Sequence, residues 1–252
     1  MKELKMFALS ILILIGLSGV ASAEIESFAP GDFVGFSFWL VSMGCLAATV
    51  FFFLERGSVA PAWRVSITVA GLITGITFVQ YIFLRNIWIM TGDTPTVYRY
   101  VDWFITMPLL ILEFYFVLST VKKVPGAIFW KLLLGSVIML IGGYFGETGY
   151  IPPMLGFVIW MAGWIYILYE VFSGDAGKMA AKNGNKALVT AFGAMRMIVT
   201  IGWVIYPLGY IFAGIEANSL NIIYNAADLL NKIVFGLIIW VAAVQNTSSR
   251  AK

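Results

Sequence analysis

Seven long apolar stretches constrain this chain more than any other feature. They lie near Val34–Leu54, Val65–Ile89, Val97–Val121, Ala127–Phe145, Ile151–Phe172, Ala187–Gly214 and Leu220–Val244. A membrane-spanning helix needs about 20 such residues, and in hydrocarbon a helix satisfies its own backbone polar groups. The runs are continuously apolar, without the alternation of a transmembrane β-barrel. Breakers separate them: Gly57 and Pro61, Gly92 to Pro95, Pro125-Gly126, Gly149 to Pro153, Gly174 to Asn185, and Asn218-Ser219. The expected fold is an all-α membrane protein, a bundle of seven transmembrane helices.

Composition agrees. The chain is 61% hydrophobic and 12% charged, with a mean hydropathy of +0.92, whereas soluble domains carry about 25% charged residues. A net charge of +3 without a run of Lys and Arg gives nucleic-acid binding no support. The single cysteine, Cys45, reads as a small core residue that forms no intrachain disulfide. There is no histidine, so histidine-based metal sites and Ser–His triads are excluded and no metal is expected. Proton chemistry here must run on carboxylates, lysine, tyrosine or water.

The N-terminus reads as a cleavable signal peptide over residues 1–23: Lys2 and Lys5, an apolar core Met6–Gly19, then Ala21-Ser22-Ala23. The alternative is an uncleaved extra helix. Residues 24–252 form the mature chain, in a bacterial inner membrane. Arg56, Arg64, Lys122, Lys123, Lys178, Lys182, Lys186, Arg250 and Lys252 fall in or beside alternate connections and the C-terminus. Asp93, Glu147 and Glu216 occupy the others, and Glu24, Glu26 and Asp32 precede the first span. The positive-inside rule therefore puts the C-terminus in the cytoplasm and the mature N-terminus outside.

Inside the seventh stretch stands Lys232, with Asp228 four residues before it. A charge at the centre of a spanning helix costs roughly 2.5–3.5 kcal/mol even on the lenient insertion scale, so such residues face a bundle interior and are paired. The i,i+4 spacing puts both on one face. A desolvated lysine favours the neutral amine, which attacks an aldehyde to form a Schiff base; a buried structural ion pair is the other reading. The third stretch carries Arg99, Asp102, Thr106 and Glu113. Asp102 and Glu113 are three turns apart on one face, roughly 16 Å along the axis. Two carboxylates at different depths suit a stepwise proton path. They equally suit a structural network in which Arg99 pairs with Asp102. In the sixth stretch Trp203, Tyr206 and Tyr210 share a face, and Pro207 predicts a kink. This stripe is either packing or the wall of a slot for a flat, conjugated ligand.

Arg99-Tyr100-Val101-Asp102-Trp103…Thr106…Glu113, Gly202-Trp203…Tyr206-Pro207-Leu208-Gly209-Tyr210 and Asn225-Ala226-Ala227-Asp228-Leu229-Leu230-Asn231-Lys232 together resemble the microbial rhodopsins, and within them the proteorhodopsins. The likeness runs through all seven stretches and includes the signal peptide and Thr91-Gly92-Asp93-Thr94-Pro95-Thr96. It implies all-trans retinal bound through Lys232 as a protonated Schiff base. By the same resemblance Asp102 is the proton acceptor and counterion, Asp228 the second counterion and Glu113 the cytoplasmic proton donor, with Arg99 supporting the counterions. Trp103, Leu110, Trp203 and Tyr206 match pocket positions. The triplet Asp102, Thr106, Glu113 is the outward proton-pump pattern, so the chain is expected to be a transporter and no enzyme. Leucine at 110 goes with green absorption. The family also implies membrane lipid and protons as partners, and a homo-oligomer, pentamer or hexamer.

Two positions depart from the pattern. Gln80 stands where proteorhodopsins carry a histidine bonded to the acceptor aspartate; glutamine donates a hydrogen bond but does not titrate. Phe157 stands where carotenoid-binding relatives have glycine, which argues against an antenna pigment. A photosensory receptor with the same pigment, and a transporter or receptor without any pigment, remain as alternatives.

Overall fold

The computed structural model describes residues 31–93, 95–211 and 217–250. The signal-peptide reading of residues 1–23 lies outside them, as do Glu24, Glu26, Glu216 and Lys252 of the charge argument. Seven helices are long and apolar enough to span a membrane: α1 (Phe33–Glu55), α2 (Pro61–Thr91), α3 (Val97–Ser119), α4 (Gly126–Glu147), α5 (Pro153–Ala181), α6 (Lys186–Tyr210) and α7 (Asn218–Ser248). Among the described residues there is no strand.

Each helix packs on the next, and α7 returns to pack on α1, closing a ring. Outward faces carry Phe36, Leu40, Val79, Leu134, Ile165 and Val241, all exposed, as expected where lipid covers the surface. Hydrophobicity does not hold the helices together there, so close packing must. The α4–α5 contact shows how. A methyl group on Gly163 would stand 2.7 Å from the Met139 backbone nitrogen, and one on Gly156 the same distance from the Gly142 carbonyl oxygen. Only glycine permits that approach.

The spans fall where the apolar runs predicted them, with differences of local cause. The stretch Gly174 to Asn185, expected as a breaker, contains a helix at Asp175–Ala181. Its first turn is held by the buried Glu170 carboxylate, whose Oε1 accepts from the Ala176 N–H at 3.1 Å, and by Lys131, which donates to Asp175 at 2.6 Å. The predicted break in α6 appears as a 3₁₀ turn at Gly202–Val204. Pro207 cannot donate to the carbonyl of Trp203 one turn earlier, and the helix tightens there.

Candidate functional site

The centre of the bundle is organised around an irregularity in α7. From Leu230 to Val234 this helix is a π turn, an arrangement that inserts an extra residue and recurs at functional positions. Asn231 within it donates to the Gly202 carbonyl at 3.1 Å and approaches the Tyr206 hydroxyl at 3.3 Å. The wide turn of α7 thus satisfies the tight turn of α6, and the two distortions fix each other. Lys232 then projects inward with only 1% of its side chain exposed.

Its amine is in direct ion-pair contact with Asp102 of α3, and Asp228 stands 3.6 Å from the same nitrogen. Asp228 is tied in place by two phenols, accepting from Tyr81 at 2.7 Å and from Tyr206 at 2.6 Å. The Thr77 hydroxyl stands 3.2 Å from Asp102 Oδ1, and Thr106 donates to the Asp102 backbone carbonyl at 3.1 Å. Arg99, fully buried, does not turn back to Asp102 as its spacing allowed. It donates instead to the Tyr81 hydroxyl oxygen (3.0 Å) and to the side-chain carbonyls of Asn221 (3.0 Å) and Asn225 (2.7 Å). These acceptors on α2 and α7 hold it one turn nearer its own end of the bundle. Two cations and two carboxylates therefore balance in a buried cluster. Without near-complete hydrogen bonding such a cluster would be prohibitive.

Trp103, Leu110, Trp203 and Tyr206, the four expected pocket residues, are all buried. Tyr206 meets Trp103 at 5.3 Å between ring centroids and Trp203 at 6.5 Å, both edge to face. The Trp103 indole Nε1 is buried without a hydrogen-bond partner among the described residues. A buried aromatic cluster with an unpartnered indole N–H, built on α6 and on the helix that carries Asp102, fits a long conjugated ligand attached at Lys232.

Glu113 is not part of this cluster. It is fully buried on α3 toward the other end, and neither carboxylate oxygen has a hydrogen-bond partner among the described residues. The Ser66 hydroxyl is its polar neighbour. Gln80 also stands apart: its amide donates to the Tyr98 backbone carbonyl at 2.7 Å. The expected bond to Asp102 is absent, and Thr77, one helical turn before Gln80, holds that place. Phe157 packs on Tyr210 with ring centroids 5.6 Å apart.

The sequence reading missed Tyr81, Thr77, Asn221 and the bridging role of Asn231. A signal for part of this was present. Asn221, Asn225, Asp228 and Lys232 recur at intervals of four, three and four along an apolar helix, which is one continuous polar stripe. Tyr81 and Thr77 carried no comparable mark, since a tyrosine or threonine in a span is unremarkable until its neighbours are known.

A sequence model of the family described as bacteriorhodopsin-like protein matches residues 32–246. The blue-light absorbing proteorhodopsin of Gamma-proteobacterium Hot 75m4 is 51% identical over 86% of this chain and 89% of its own. The green-light absorbing proteorhodopsin of Gamma-proteobacterium EBAC31A08 is 46% identical over 89% of this chain and 95% of its own. The crystal structure of blue light-absorbing proteorhodopsin from Med12 superposes with a TM-score of 0.74 at 46% identity, covering 85% of this chain and 99% of that one.

Proposed function

The chain belongs to the bacteriorhodopsin-like family, and from that premise we propose that this bacterial multi-pass membrane protein is a light-driven outward proton pump. The observation that carries the proposal is the placing of one buried amine, Lys232, against Asp102 and Asp228, with a second buried carboxyl, Glu113, alone on the opposite side.

Lys232 would hold retinal at its Nζ, between Trp103, Leu110, Trp203 and Tyr206. Retinal so held supplies absorption of visible light and a light-driven change of shape. The rest belongs to the chain. Asp102 touches Lys232 Nζ and takes its proton; the contact supplies the proximity that proton transfer requires. Asp228 accepts two phenolic hydrogen bonds, which stabilise it as a fixed negative charge. Its role is therefore to hold, and that of Asp102 to move. Arg99 keeps the pair neutralised from the outer side. Glu113 returns a proton to Lys232 Nζ. A lone buried carboxyl is less costly neutral than ionised, which suits a proton kept in reserve. Thr106 steadies the turn that carries Asp102.

The direction follows from topology. With the N-terminus outside, α3 runs inward, so Asp102 faces the periplasm and Glu113 the cytoplasm. Leu110 supports absorption on the green side, and Phe157, filling space against Tyr210, supports a pump without a carotenoid antenna. A pentamer or hexamer is the proposed assembly. The test is expression with retinal. Cells should gain a visible band, and on illumination acidify an unbuffered medium until a protonophore is added. No visible band, or a medium that turns alkaline, would overturn the reading.

A further inference from the structure

Arg196 is a charge inside a span that the steps above do not use. It stands on α6, half-buried, and no carboxylate among the described residues lies within ion-pair distance of it. Lys232 and Arg99, by contrast, are fully partnered. The Cβ bonds of a helix tilt toward its N-terminus, and this side chain follows. Its guanidinium reaches back one turn, so that a methyl group on Gly193 would stand 4.0 Å from Nη2 and meet nothing nearer. The bare glycine leaves a notch there. Two rings flank the charge: Phe172 of α5, with its centroid 4.8 Å away, and Phe192 of α6, at 5.5 Å. Phe192 is fully buried and lies edge to face against Phe114 at 5.0 Å, so this wall is fixed. The Arg196 Nε is buried with no hydrogen-bond partner among the described residues, whereas the two terminal nitrogens are not so enclosed. Phe172 and Met197 beside it are exposed, on a face that lipid covers.

We infer that Arg196 and the notch at Gly193 form a seat for the phosphate of an anionic phospholipid. Gly193 marks the level of the guanidinium, about 10 Å along the axis from the start of α6 at Lys186. A cation at that depth is costly unless an anion neutralises it, and an arginine there draws headgroups inward by thinning the bilayer locally. The described residues supply no such anion. A free anion would have to cross hydrocarbon to arrive, whereas a phospholipid brings its phosphate along the surface, with its acyl chains over Phe172 and Met197. A guanidinium holds phosphate through two parallel N–H donors. With Nε buried, that pair comes from the terminal nitrogens, which face the notch. Lys178, Lys182 and Lys186, all exposed at the same end, repel the ammonium of a choline or ethanolamine headgroup. They favour a lipid of net negative charge.

The seat is independent of the pump reading, and its test uses no light. The full chain is titrated in non-ionic detergent with phosphatidylglycerol or phosphatidylcholine, and native mass spectrometry counts the bound lipid. The unaltered protein should bind phosphatidylglycerol more tightly. Arg196→Gln should weaken that binding about fivefold, the contribution of one basic residue near an anionic headgroup. Arg196→Lys, which keeps the charge but loses the paired donors, should fall between. Gly193→Leu keeps the arginine but fills the notch, and should weaken binding as much as Arg196→Gln. Inorganic phosphate should displace no more lipid than chloride does at equal ionic strength. Unchanged phosphatidylglycerol binding in Arg196→Gln overturns the seat, as does phosphatidylcholine bound equally well. Displacement by inorganic phosphate overturns the lipid as its occupant. Loss of an oligomer in Arg196→Gln with lipid binding intact also overturns it, since the guanidinium then serves a second copy of the chain. Should Arg196→Gln lose its helical circular dichroism, unchanged binding in both Arg196→Lys and Gly193→Leu overturns the seat.

Discussion

The two halves of the bundle, above and below Lys232, are built on opposite principles. On the Arg99 side the charged groups are tied into one network: Asp228 by two phenols, Arg99 by two amides and a phenol, Asp102 by the amine and the Thr77 hydroxyl. On the Glu113 side the interior is a plug of rings and aliphatics. Phe114 lies edge to face against Phe192 at 5.0 Å and Phe235 at 6.1 Å, with Val117 and Ile239 fully buried nearby and a single carboxyl set among them. Polar groups reappear at the far end, where Trp63 donates to Asn246 at 3.0 Å and Trp240 to Glu55 at 3.0 Å. A chain of hydrogen-bonded groups suits proton transfer, and an apolar plug suits a seal. That asymmetry alone would let one transfer at Lys232 be rectified. Under the proposed function, that plug is the seal against back-leakage.

Removing the shared centre should break both halves at once. Lys232→Ala should abolish visible absorption while the apoprotein still inserts, and a retinal-like band that survives would refute the attachment site. Asp102→Asn should leave a pigment that no longer pumps; persistent acidification of the medium by this variant would sink the acceptor assignment.

A change on the dry side should act on one phase only. With Glu113→Gln the first transfer should keep its rate, while reprotonation of Lys232 slows by roughly 10²–10⁴-fold, the usual value of a positioned proton donor. The proton must then come from the cytoplasmic solution. Recovery should accordingly slow about tenfold for each unit of rising internal pH, since the rate follows proton concentration. Flash photolysis across a pH series measures this, and a recovery indifferent to pH in the variant would show that another internal group supplies the proton.

Stability should divide the halves too. Asn225→Ala removes a hydrogen bond from a buried guanidinium and should cost roughly 1.5–3 kcal/mol, because the charge stays behind. Asn246→Ala, at the far end, loses a neutral bond to Trp63 and should cost nearer 0.6 kcal/mol, about the mean for interhelical bonds in a membrane. Unfolding of both variants in the same detergent checks the order; equal losses would mean that the connected half is no more tightly interlocked than the latch beneath it.

What the sequence disclosed follows the same division. The spans were legible because hydrocarbon leaves a chain so few solutions. Lys232, Asp228, Asp102 and Glu113 were legible because a charge inside a span requires a reason. The partners were harder. Arg99 lies one turn from Asp102 in sequence, yet the two asparagines that hold it come from a helix more than 120 residues away. Which side of Arg99 they stand on depends on the rotation of α7, and so on a π turn that no residue pattern announced. The short helix at Asp175–Ala181 was hidden for a related reason, since the acid that supports it, Glu170, belongs to the preceding segment.

The smallest expected effect concerns Gln80 and Thr77, neighbours on α2 that the structure separates. Gln80 sits where a direct bond to Asp102 was anticipated, but its amide is spent on the Tyr98 carbonyl. Thr77 is the side chain beside Asp102 Oδ1. A hydroxyl near a carboxylate stabilises its ionised form, so Thr77→Val should make the acid-induced red shift of the visible band set in at higher pH than in the unaltered protein. The displacement should be about one pH unit, since a hydrogen bond to a charged group contributes roughly 1.5 kcal/mol and one unit corresponds to 1.36 kcal/mol. Gln80→His should move the same midpoint by a smaller amount, because any effect must pass through the Tyr98 carbonyl and the backbone of α3. Spectral titration of both variants side by side decides it. A larger shift from Gln80→His than from Thr77→Val would mean that the side chain at position 80 reaches the acceptor after all.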